Sequence, residues 1–332
     1  MKLHSDKDAF SVIIDNISER TGIRKDIIEK DYYVVLMLFE LAGKQVELPA
    51  YFKGGTALYK ALKTLNRFSE DIDITVEISD CSRSLGKARL ERASSKYTVL
   101  ERTADKQKEV NARGSITAVY DYQPITAIDT EDELQRFGHV KVEATSFTIS
   151  EPYEISEIEP LLYTKATVEE KGILENHFDV NPFQIKTIKQ ERIFADKILA
   201  AEFYYQRKEY FDVSKHLYDL TVMMGLPRIQ EMISCHDEFV KMLSYKRQEE
   251  VLRKGSELAD LPFYKFTLFN ELEDNKTLQI HFMRMQEIYV FDKKDIFDFD
   301  QMCQNMKSLN QTLLTLDEGL TIVNQEQQMN MY

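Results

Sequence analysis

Two aspartates, Asp71 and Asp73, stand two residues apart in a run that alternates polar and apolar residues as a strand does. Side chains at positions i and i+2 of a strand point to the same face, so the two carboxylates project together. Neighbouring carboxylates repel each other unless a cation lies between them. Because Mg²⁺ prefers carboxylate oxygens together with substrate phosphates, this spacing predicts a Mg²⁺ site for nucleotide chemistry.

A glycine pair, Gly54 and Gly55, precedes a short amphipathic pattern that begins at Thr56. Such a turn lets backbone N–H groups and a helix N-terminus approach a phosphate closely. We therefore predict that Gly54, Gly55 and Thr56 bind nucleotide phosphates, with a further hydroxyl contact from Ser69. Each feature alone is ordinary, since polar alternation occurs on many half-exposed strands and glycine pairs often precede helices. The combination is the specific signal.

The surrounding sequence indicates the elements that position these residues. Two helical patterns lie within residues 6–43, and helices are also predicted at residues 56–65 and 84–96. Strands are predicted at residues 51–53, 71–77, 97–101, 115–123 and 140–149. These patterns predict an α+β fold, with a mixed sheet and flanking helices.

The pattern changes near residue 180, after which helical periodicity dominates. Asn181-Pro182 is the predicted hinge, because proline biases the residue before it towards extended backbone. We predict an α/β domain with N-terminal helices at residues 1–182. A helical domain at residues 183–332 is predicted to complete the active site.

Lys197 lies within a long helix predicted at residues 187–207. It shares a largely apolar face with Ile193 and Ala201, four residues to either side. A lysine in such a position either extends its ammonium to solvent or is held there for a purpose, such as contact with a triphosphate.

The motif segment reads Gly-Gly-Thr-Ala-Leu, a gap, and then Arg-Phe-Ser-Glu-Asp-Ile-Asp. It resembles motif I of the nucleotidyltransferase superfamily that includes DNA polymerase β, and more closely the AbiEii/AbiGii toxin family. The segment Glu29-Lys30-Asp31-Tyr32 also resembles that family, in which it precedes motif I. A structural, salt-bridged helix face is one interpretation of this segment, and a lining of the site by Glu29 and Lys30 is the other.

The resemblance implies a sheet of the nucleotidyltransferase type and a third metal ligand, Glu143. A cross-strand Lys–Glu pair is the alternative explanation for that glutamate. The resemblance also implies that Lys197 and Asp219 are catalytic and that Lys215, where the family often has arginine, binds phosphate. A simple i, i+4 salt bridge between Lys215 and Asp219 is the alternative for those two residues.

The implied activity is Mg²⁺-dependent transfer of a nucleoside monophosphate from a nucleoside triphosphate, GTP or CTP, to an RNA acceptor such as a tRNA 3′ end. The implied biology is a bacterial toxin with a cognate antitoxin, active in abortive phage infection. Two alternatives stay open. One is a nucleotidyltransferase that modifies a protein or a small molecule such as an antibiotic. The other is an inactive nucleotide-binding module that regulates through a partner.

Composition limits these options. The chain has 332 residues and a formal net charge of −13, which argues against a surface that attracts nucleic acid generally. A local basic groove remains open, and candidate clusters are Lys186, Lys189 and Arg192, and Arg207, Lys208 and Lys215, with solvated helix faces as the alternative. The three cysteines are far apart, which supports neither a disulfide framework nor a zinc site. Without an apolar signal or membrane segment, we expect a cytoplasmic protein with no membrane partner.

Overall fold

The computed structural model describes residues 1–112, 114–127, 137–146, 150–252 and 257–329. The chain divides into two compact units. The first, which we call the sheet unit, comprises Met1–Lys63 and Phe68–Ile188, and the second, the helical unit, comprises Thr64–Arg67 and Lys189–Tyr332. The four residues Thr64–Arg67 thus belong to the helical unit, although their neighbours on both sides in the sequence belong to the sheet unit.

The sheet unit is built on a mixed sheet, as predicted. Its described strands are β1 (Ala50–Lys53), β2 (Ile72–Val76), β3 (Glu101–Arg102), β4 (Val110–Ala112), β5 (Ser115–Asp121), β6 (His139–Thr145), β7 (Tyr153–Ile158) and β8 (Phe183–Ile188). The order across the sheet is β3-β5-β6-β2-β1-β8-β7, and β4 pairs with β5. The β2–β6 and β1–β8 pairs are parallel, and the other pairs are antiparallel.

Helices flank this sheet in the same unit. They are α1 (Lys7–Thr21), α2 (Lys25–Lys44), α3 (Gly54–Lys60), α4 (Arg83–Ser94), α5 (Leu161–Thr164) and α6 (Val168–Phe178). Helix α1 begins where the Asp6 side chain accepts a hydrogen bond from the backbone of Ala9, and it ends at Gly22, whose φ is 74°. The two helices predicted within residues 6–43 are therefore confirmed.

The alternation in the central strands decides which side chains enter the core. Ile72, Ile74 and Val76 of β2 are completely buried, as are Val140 and Val142 of β6. Because side chains alternate between the two faces of a strand, the polar residues between them share the opposite face. The sheet therefore presents the acidic residues of β2 and β6 on one side.

Several predicted boundaries differ from the structure. Helix α3 ends at Lys60 rather than at residue 65, and Lys63 has a φ of 52°, which an α-helix does not allow. Of the strand predicted at residues 97–101, only Glu101 lies in a strand, the two-residue β3. Residues 147–149 of the strand predicted at residues 140–149 lie outside the described residues. Strand β8 occupies residues 187 and 188, so the helix predicted from residue 187 begins at Gln190.

The helical unit contains α7 (Gln190–Gln206), α8 (Tyr210–Met224), α9 (Pro227–Ser234), α10 (His236–Leu252), α11 (Thr267–Glu271), α12 (Lys276–Tyr289) and α13 (Phe299–Met329). Its core includes the completely buried side chains of Phe194, Ile198, Leu217 and Phe282. The prediction that helices dominate the second half is confirmed. Within the described residues, no helix has the length and apolar character needed to cross a membrane.

Candidate active site

One row of side chains crosses four neighbouring strands of the sheet unit. Asp73 of β2 lies directly opposite Lys53 of β1 and Glu143 of β6, and Glu143 lies opposite Thr117 of β5. Residues directly opposite each other on paired strands have neighbouring side chains on the same face. The register therefore brings the predicted ligands Asp73 and Glu143 side by side, although 70 positions separate them in the sequence.

Asp71 precedes β2 and forms an ion pair on the same face. The Lys141 ammonium lies 2.9 Å from Asp71 Oδ2. Lys141 is two residues before Glu143 on β6, so these two side chains also share a face. We call Asp71, Asp73, Lys141 and Glu143 the charge quartet. Lys141 pairs with Asp71, and the residues directly opposite Glu143 are Asp73 and Thr117. This register does not support the alternative that Glu143 forms a cross-strand pair with a lysine.

Two members of the quartet, Asp73 and Lys141, have shifted pKa values. Burial, together with the negative charges of Glu143 and Asp71, raises the pKa of the Asp73 carboxyl to about 6. The nearby Asp71 carboxylate is the main reason that the pKa of Lys141 is raised. The negative charges of Glu143 and Asp71 disfavour the charged form of Asp73. A bound cation would stabilise that charged form.

The donor set fits a hard divalent cation. Asp71 and Asp73 offer carboxylate oxygens on one face, and their mutual repulsion falls when a cation binds. Within the described residues, no three or more His, Cys, Asp or Glu side chains form a cluster arranged to hold a metal ion. The assignment of Glu143 as a third ligand accordingly stays a prediction.

The glycine turn lies against the carboxylates. Gly54 has a φ of 78°, which favours glycine, and a side-chain carbon built on it would collide with the Asp73 carboxylate. Helix α3 begins at this residue, directly after Lys53 of β1. The glycine pair and the aspartate pair, separate motifs in the sequence, thus form one local structure.

Two hydroxyls predicted to contact phosphate are bonded to each other. The Thr56 hydroxyl donates to Ser69 Oγ at 3.0 Å, and Thr56 is almost completely buried. This bond joins the first turn of α3 to the polar segment that precedes Asp71. Phosphate contacts by Thr56 and Ser69 stay predictions.

The segment Glu29–Tyr32 of α2 is buried and bonded to the elements around it. The Glu29 carboxylate accepts hydrogen bonds from the backbone N–H groups of Ile125 and Thr126 at 2.8 and 3.0 Å. Asp31 pairs with Lys60 of α3 at 2.8 Å and also accepts from the backbone of Leu161. These contacts favour the structural interpretation of the segment.

Lys30 has the contacts most directly relevant to the charge quartet. Its ammonium donates to the carbonyl of His139, the first residue of β6, and lies 3.9 Å from the Glu70 carboxylate. Lys30 is 1% exposed and Glu70 is 3% exposed. Because Glu70 precedes Asp71 directly, Lys30 contacts both chain segments that lead into the quartet.

The helical unit contains a second buried ionic group. Asp219 is completely buried, accepts two hydrogen bonds from the Arg67 guanidinium at 2.6 Å each, and pairs with the Lys197 ammonium at 2.5 Å. Burial alone would raise the pKa of Asp219, but the charges of Arg67 and Lys197 outweigh it and lower that pKa to about 2. We call these three residues the buried triad. A carboxylate with so low a pKa is a poor general base, and the catalytic role of Asp219 stays a prediction.

Lys215 has local partners on α8 and α12. Its ammonium lies 3.2 Å from Asp212 Oδ1 and is 5.1 and 5.7 Å from the ring centres of Phe211 and Tyr289. The predicted phosphate contact of Lys215 stays a prediction. The next residue, His216, stacks on Tyr204 with ring centres 5.3 Å apart. Burial and the charge of Lys197 lower the pKa of His216 well below its ordinary value.

Two residues were not among those predicted to act. Arg67 is part of the motif segment, but its partner Asp219 is 152 residues away, so no local pattern indicates the pair. Lys141 could have been found from the alternation of β6, since it shares a face with Glu143 two residues later.

A family model described as the nucleotidyl transferase AbiEii toxin of a type IV toxin–antitoxin system matches residues 37–305. The chain belongs to this family. This AbiEii chain is therefore a nucleotidyltransferase toxin of a type IV toxin–antitoxin system, which confirms the prediction from the motif residues. The matched range contains the glycine turn, the charge quartet and the buried triad.

The solved structures that are similar to this AbiEii chain include MenT4, a nucleotidyltransferase toxin from Mycobacterium tuberculosis H37Rv, with 13% sequence identity and a TM-score of 0.46. The similarity covers 91% of this chain and 98% of MenT4. A comparison with curated proteins gave no match.

Proposed function

We propose that this toxin transfers a nucleoside monophosphate from a nucleoside triphosphate to a hydroxyl of an RNA, with a tRNA 3′ end as the preferred acceptor. The observation that carries the proposal is the position of the Asp73 carboxylate, beside Glu143 and against Gly54. The turn that we propose to bind phosphate and a carboxylate that we propose to bind a cation are thereby adjacent. Membership in a nucleotidyltransferase toxin family supports the reaction class.

In the proposed reaction, an acceptor hydroxyl oxygen forms a bond to the α-phosphorus of the triphosphate. The bond from the α-phosphorus to the oxygen that bridges it to the β-phosphorus breaks, and pyrophosphate leaves as the hydroxyl proton is lost. Backbone N–H groups at Gly54, Gly55 and Thr56 bind phosphate oxygens. Asp71 and Asp73, with Glu143 as a third candidate, would hold Mg²⁺. When bound, this ion would supply positive charge that offsets the charge developing on the phosphates.

The helical unit adds predicted functional residues. From the family resemblance, Lys197 binds the triphosphate or the leaving pyrophosphate, and Lys215 binds phosphate. The three hydrogen-bonding contacts that Asp219 makes to Arg67 and Lys197 support a positioning role for this carboxylate. We propose that Asp219 holds the Lys197 ammonium in a fixed orientation.

The direct test uses each α-labelled nucleoside triphosphate in turn, with Mg²⁺ and total cellular RNA. The wild type is compared with an Asp71→Asn/Asp73→Asn variant, which preserves side-chain shape and removes both charges. The matched control is Glu47→Gln/Asp80→Asn, which removes two carboxylates from exposed ion pairs of the same unit. We expect label in an RNA band with the wild type and the control only, and GTP or CTP as the donor.

Other outcomes separate the alternatives. Label that enters a protein or a small molecule, with RNA unlabelled, would replace the RNA acceptor and keep the reaction. Nucleotide binding without any transfer would favour a regulatory module. Full activity of the Asp71→Asn/Asp73→Asn variant would overturn the assignment of these residues.

For the biology, we propose arrest of growth in the cytoplasm, where nucleoside triphosphates and RNA are both present, and a role in abortive phage infection. Induced expression in a bacterial host should stop growth, and co-expression of a neighbouring antitoxin gene should restore it. Phage plaque counts on hosts that carry the gene pair test the defence role. Plaque counts equal to those with the Asp71→Asn/Asp73→Asn variant would refute that role.

A further inference from the structure

The ion pair between Lys141 and Asp71 occupies a place that the proposed function assigns to a metal ion. The Lys141 ammonium lies 2.9 Å from Asp71 Oδ2, one of the oxygens that Asp71 would offer to Mg²⁺. An ammonium group bonds to carboxylate oxygens through the same lone pairs that a metal ion uses. The Lys141 ammonium and a metal ion would therefore compete for Asp71 Oδ2.

The sheet fixes Lys141 in this place. β6 is an interior strand, with β5 paired on one side and β2 on the other. The residues before and after the lysine, Val140 and Val142, are completely buried, so the backbone cannot turn the lysine to the other face. Lys141 is thus positioned by the fold, unlike a lysine on a solvated helix.

The surroundings distinguish this pair from an ordinary surface salt bridge. Both side chains are 37% exposed, and exposed pairs in general contribute little to stability. Here, however, the ammonium also interacts with the charges of Asp73 and Glu143. Lys141 therefore offsets repulsion among all three carboxylates, while Lys53, opposite Asp73 on β1, also acts on Asp73.

We propose that Lys141 is the resident counter-cation of the carboxylate site. Its ammonium holds Asp71 in the metal-free protein, and it leaves that carboxylate oxygen when a divalent cation binds Asp71 and Asp73. Lys141 is in this sense a positioning residue that sets the metal affinity of the site. This inference rests on the proposed metal site, which the experiment tests separately.

The test is a titration of the full chain with Mn²⁺, without nucleotide, in which electron paramagnetic resonance measures free Mn²⁺. We expect Lys141→Met to bind Mn²⁺ about tenfold more tightly than the wild type, because a nearby positive charge no longer opposes the ion. Lys141→Arg keeps the charge and should bind within about twofold of the wild type. Lys87→Met is the matched control, since it removes one lysine from an exposed i, i+4 pair on α4.

Thermal unfolding gives a second measurement. In the absence of metal, Lys141→Met should unfold at a lower temperature than the wild type, because the cation that pairs with Asp71 and offsets part of the repulsion among the three carboxylates is then missing. Saturating Mn²⁺ should raise the variant's midpoint by more than that of the wild type and reduce the difference. If Lys141→Met does not fold, Lys141→Gln, which keeps a polar side chain of similar reach, takes its place in both measurements.

The outcomes separate this inference from the proposed function. Suppose the wild type binds Mn²⁺ and Asp71→Asn/Asp73→Asn does not, while Lys141→Met binds equally or more weakly. Then the metal site stands and the counter-cation role is overturned. If neither the wild type nor Lys141→Met binds Mn²⁺, the metal site itself fails and the inference fails with it.

Discussion

The Asp73 carboxylate lies against the backbone of Gly54, where any side chain would collide with it. This contact joins the two halves of the motif, because the glycine allows both the positive φ of the turn and the close approach of the carboxylate. The glycine pair and the aspartate pair are therefore in direct contact in the structure and depend on each other.

Gly54→Ala should destabilise the sheet unit by about 1–3 kcal/mol, since it combines a strained φ with a steric clash. It should also abolish nucleotidyl transfer, because the displaced Asp73 loses its place beside Glu143. Chemical denaturation and the labelled-nucleotide assay measure the two effects. Gly172→Ala is the control. Gly172 lies inside α6 with open space around it, so alanine should stabilise the protein slightly. Equal effects of the two substitutions would contradict this account.

Asp219→Ala should destabilise the helical unit by about 3–5 kcal/mol, because it leaves the buried charges of Arg67 and Lys197 without their partner. Lys197→Met should cost less stability, since Asp219 keeps its two bonds from Arg67, and yet it should abolish transfer. Denaturant titration and the transfer assay distinguish the two variants. A loss of stability below 1 kcal/mol for Asp219→Ala would show that the triad is not a structural ion pair.

Lys30→Met should destabilise the sheet unit by about 3 kcal/mol, because it removes the buried cation that contacts Glu70 and the carbonyl of His139. The same helix provides the control. Lys25 forms an exposed pair with Asp15, so Lys25→Met should leave the stability of the protein close to that of the wild type. Thermal or denaturant unfolding measures the stability of both variants. Equal losses of stability would show that the buried contacts of Lys30 contribute no more than the exposed pair of Lys25.

Acidification should destabilise the sheet unit through His139. Burial, together with the positive charge of Lys30, lowers the pKa of this histidine to about 4. The unfolded chain, with an ordinary histidine pKa near 6.5, binds the proton more readily. The stabilising contribution is therefore present above about pH 6.5 and is lost as the pH falls towards 4.

The comparison of wild type with His139→Gln at pH 7.5 and pH 4.5 isolates this effect. The wild type should lose more stability over that range than the variant does, as measured by thermal unfolding. His177→Gln, which replaces an exposed histidine, should behave as the wild type does. A pH dependence that is unchanged in His139→Gln would assign the effect to other groups.

The parts of the site that the sequence indicated are those determined by short spacings. The shared face of Asp71 and Asp73 follows from strand periodicity, and the turn at Gly54 follows from the conformational freedom of glycine. The alternation of β6 likewise placed Glu143 on a polar face. In each case the decisive neighbours lie within a few residues.

The parts that the sequence did not indicate depend on pairing between distant segments. The contact of Lys141 with Asp71 needs the parallel register of β6 and β2, and no spacing in the chain encodes that register. The Arg67–Asp219 pair spans 152 residues. The end of α3 at Lys60 was missed because Lys63 has a positive φ of 52°, a backbone conformation that the helical pattern of the sequence does not indicate.

The segment Thr64–Arg67 gives the chain an interleaved architecture. Phe291 donates to the Asn66 carbonyl at 3.1 Å, and Arg67 binds Asp219, so these four residues complete the helical unit from within the first quarter of the sequence. A fragment that starts at residue 189 would therefore lack Thr64–Arg67, four residues that belong to the helical unit. The two units cannot be separated by one cut in the sequence, and a gene fusion or domain exchange at residue 188 would transfer a helical unit that lacks Arg67, the partner of Asp219. A recombination event within the gene should thus disrupt the helical unit unless it keeps both Thr64–Arg67 and the segment after residue 188.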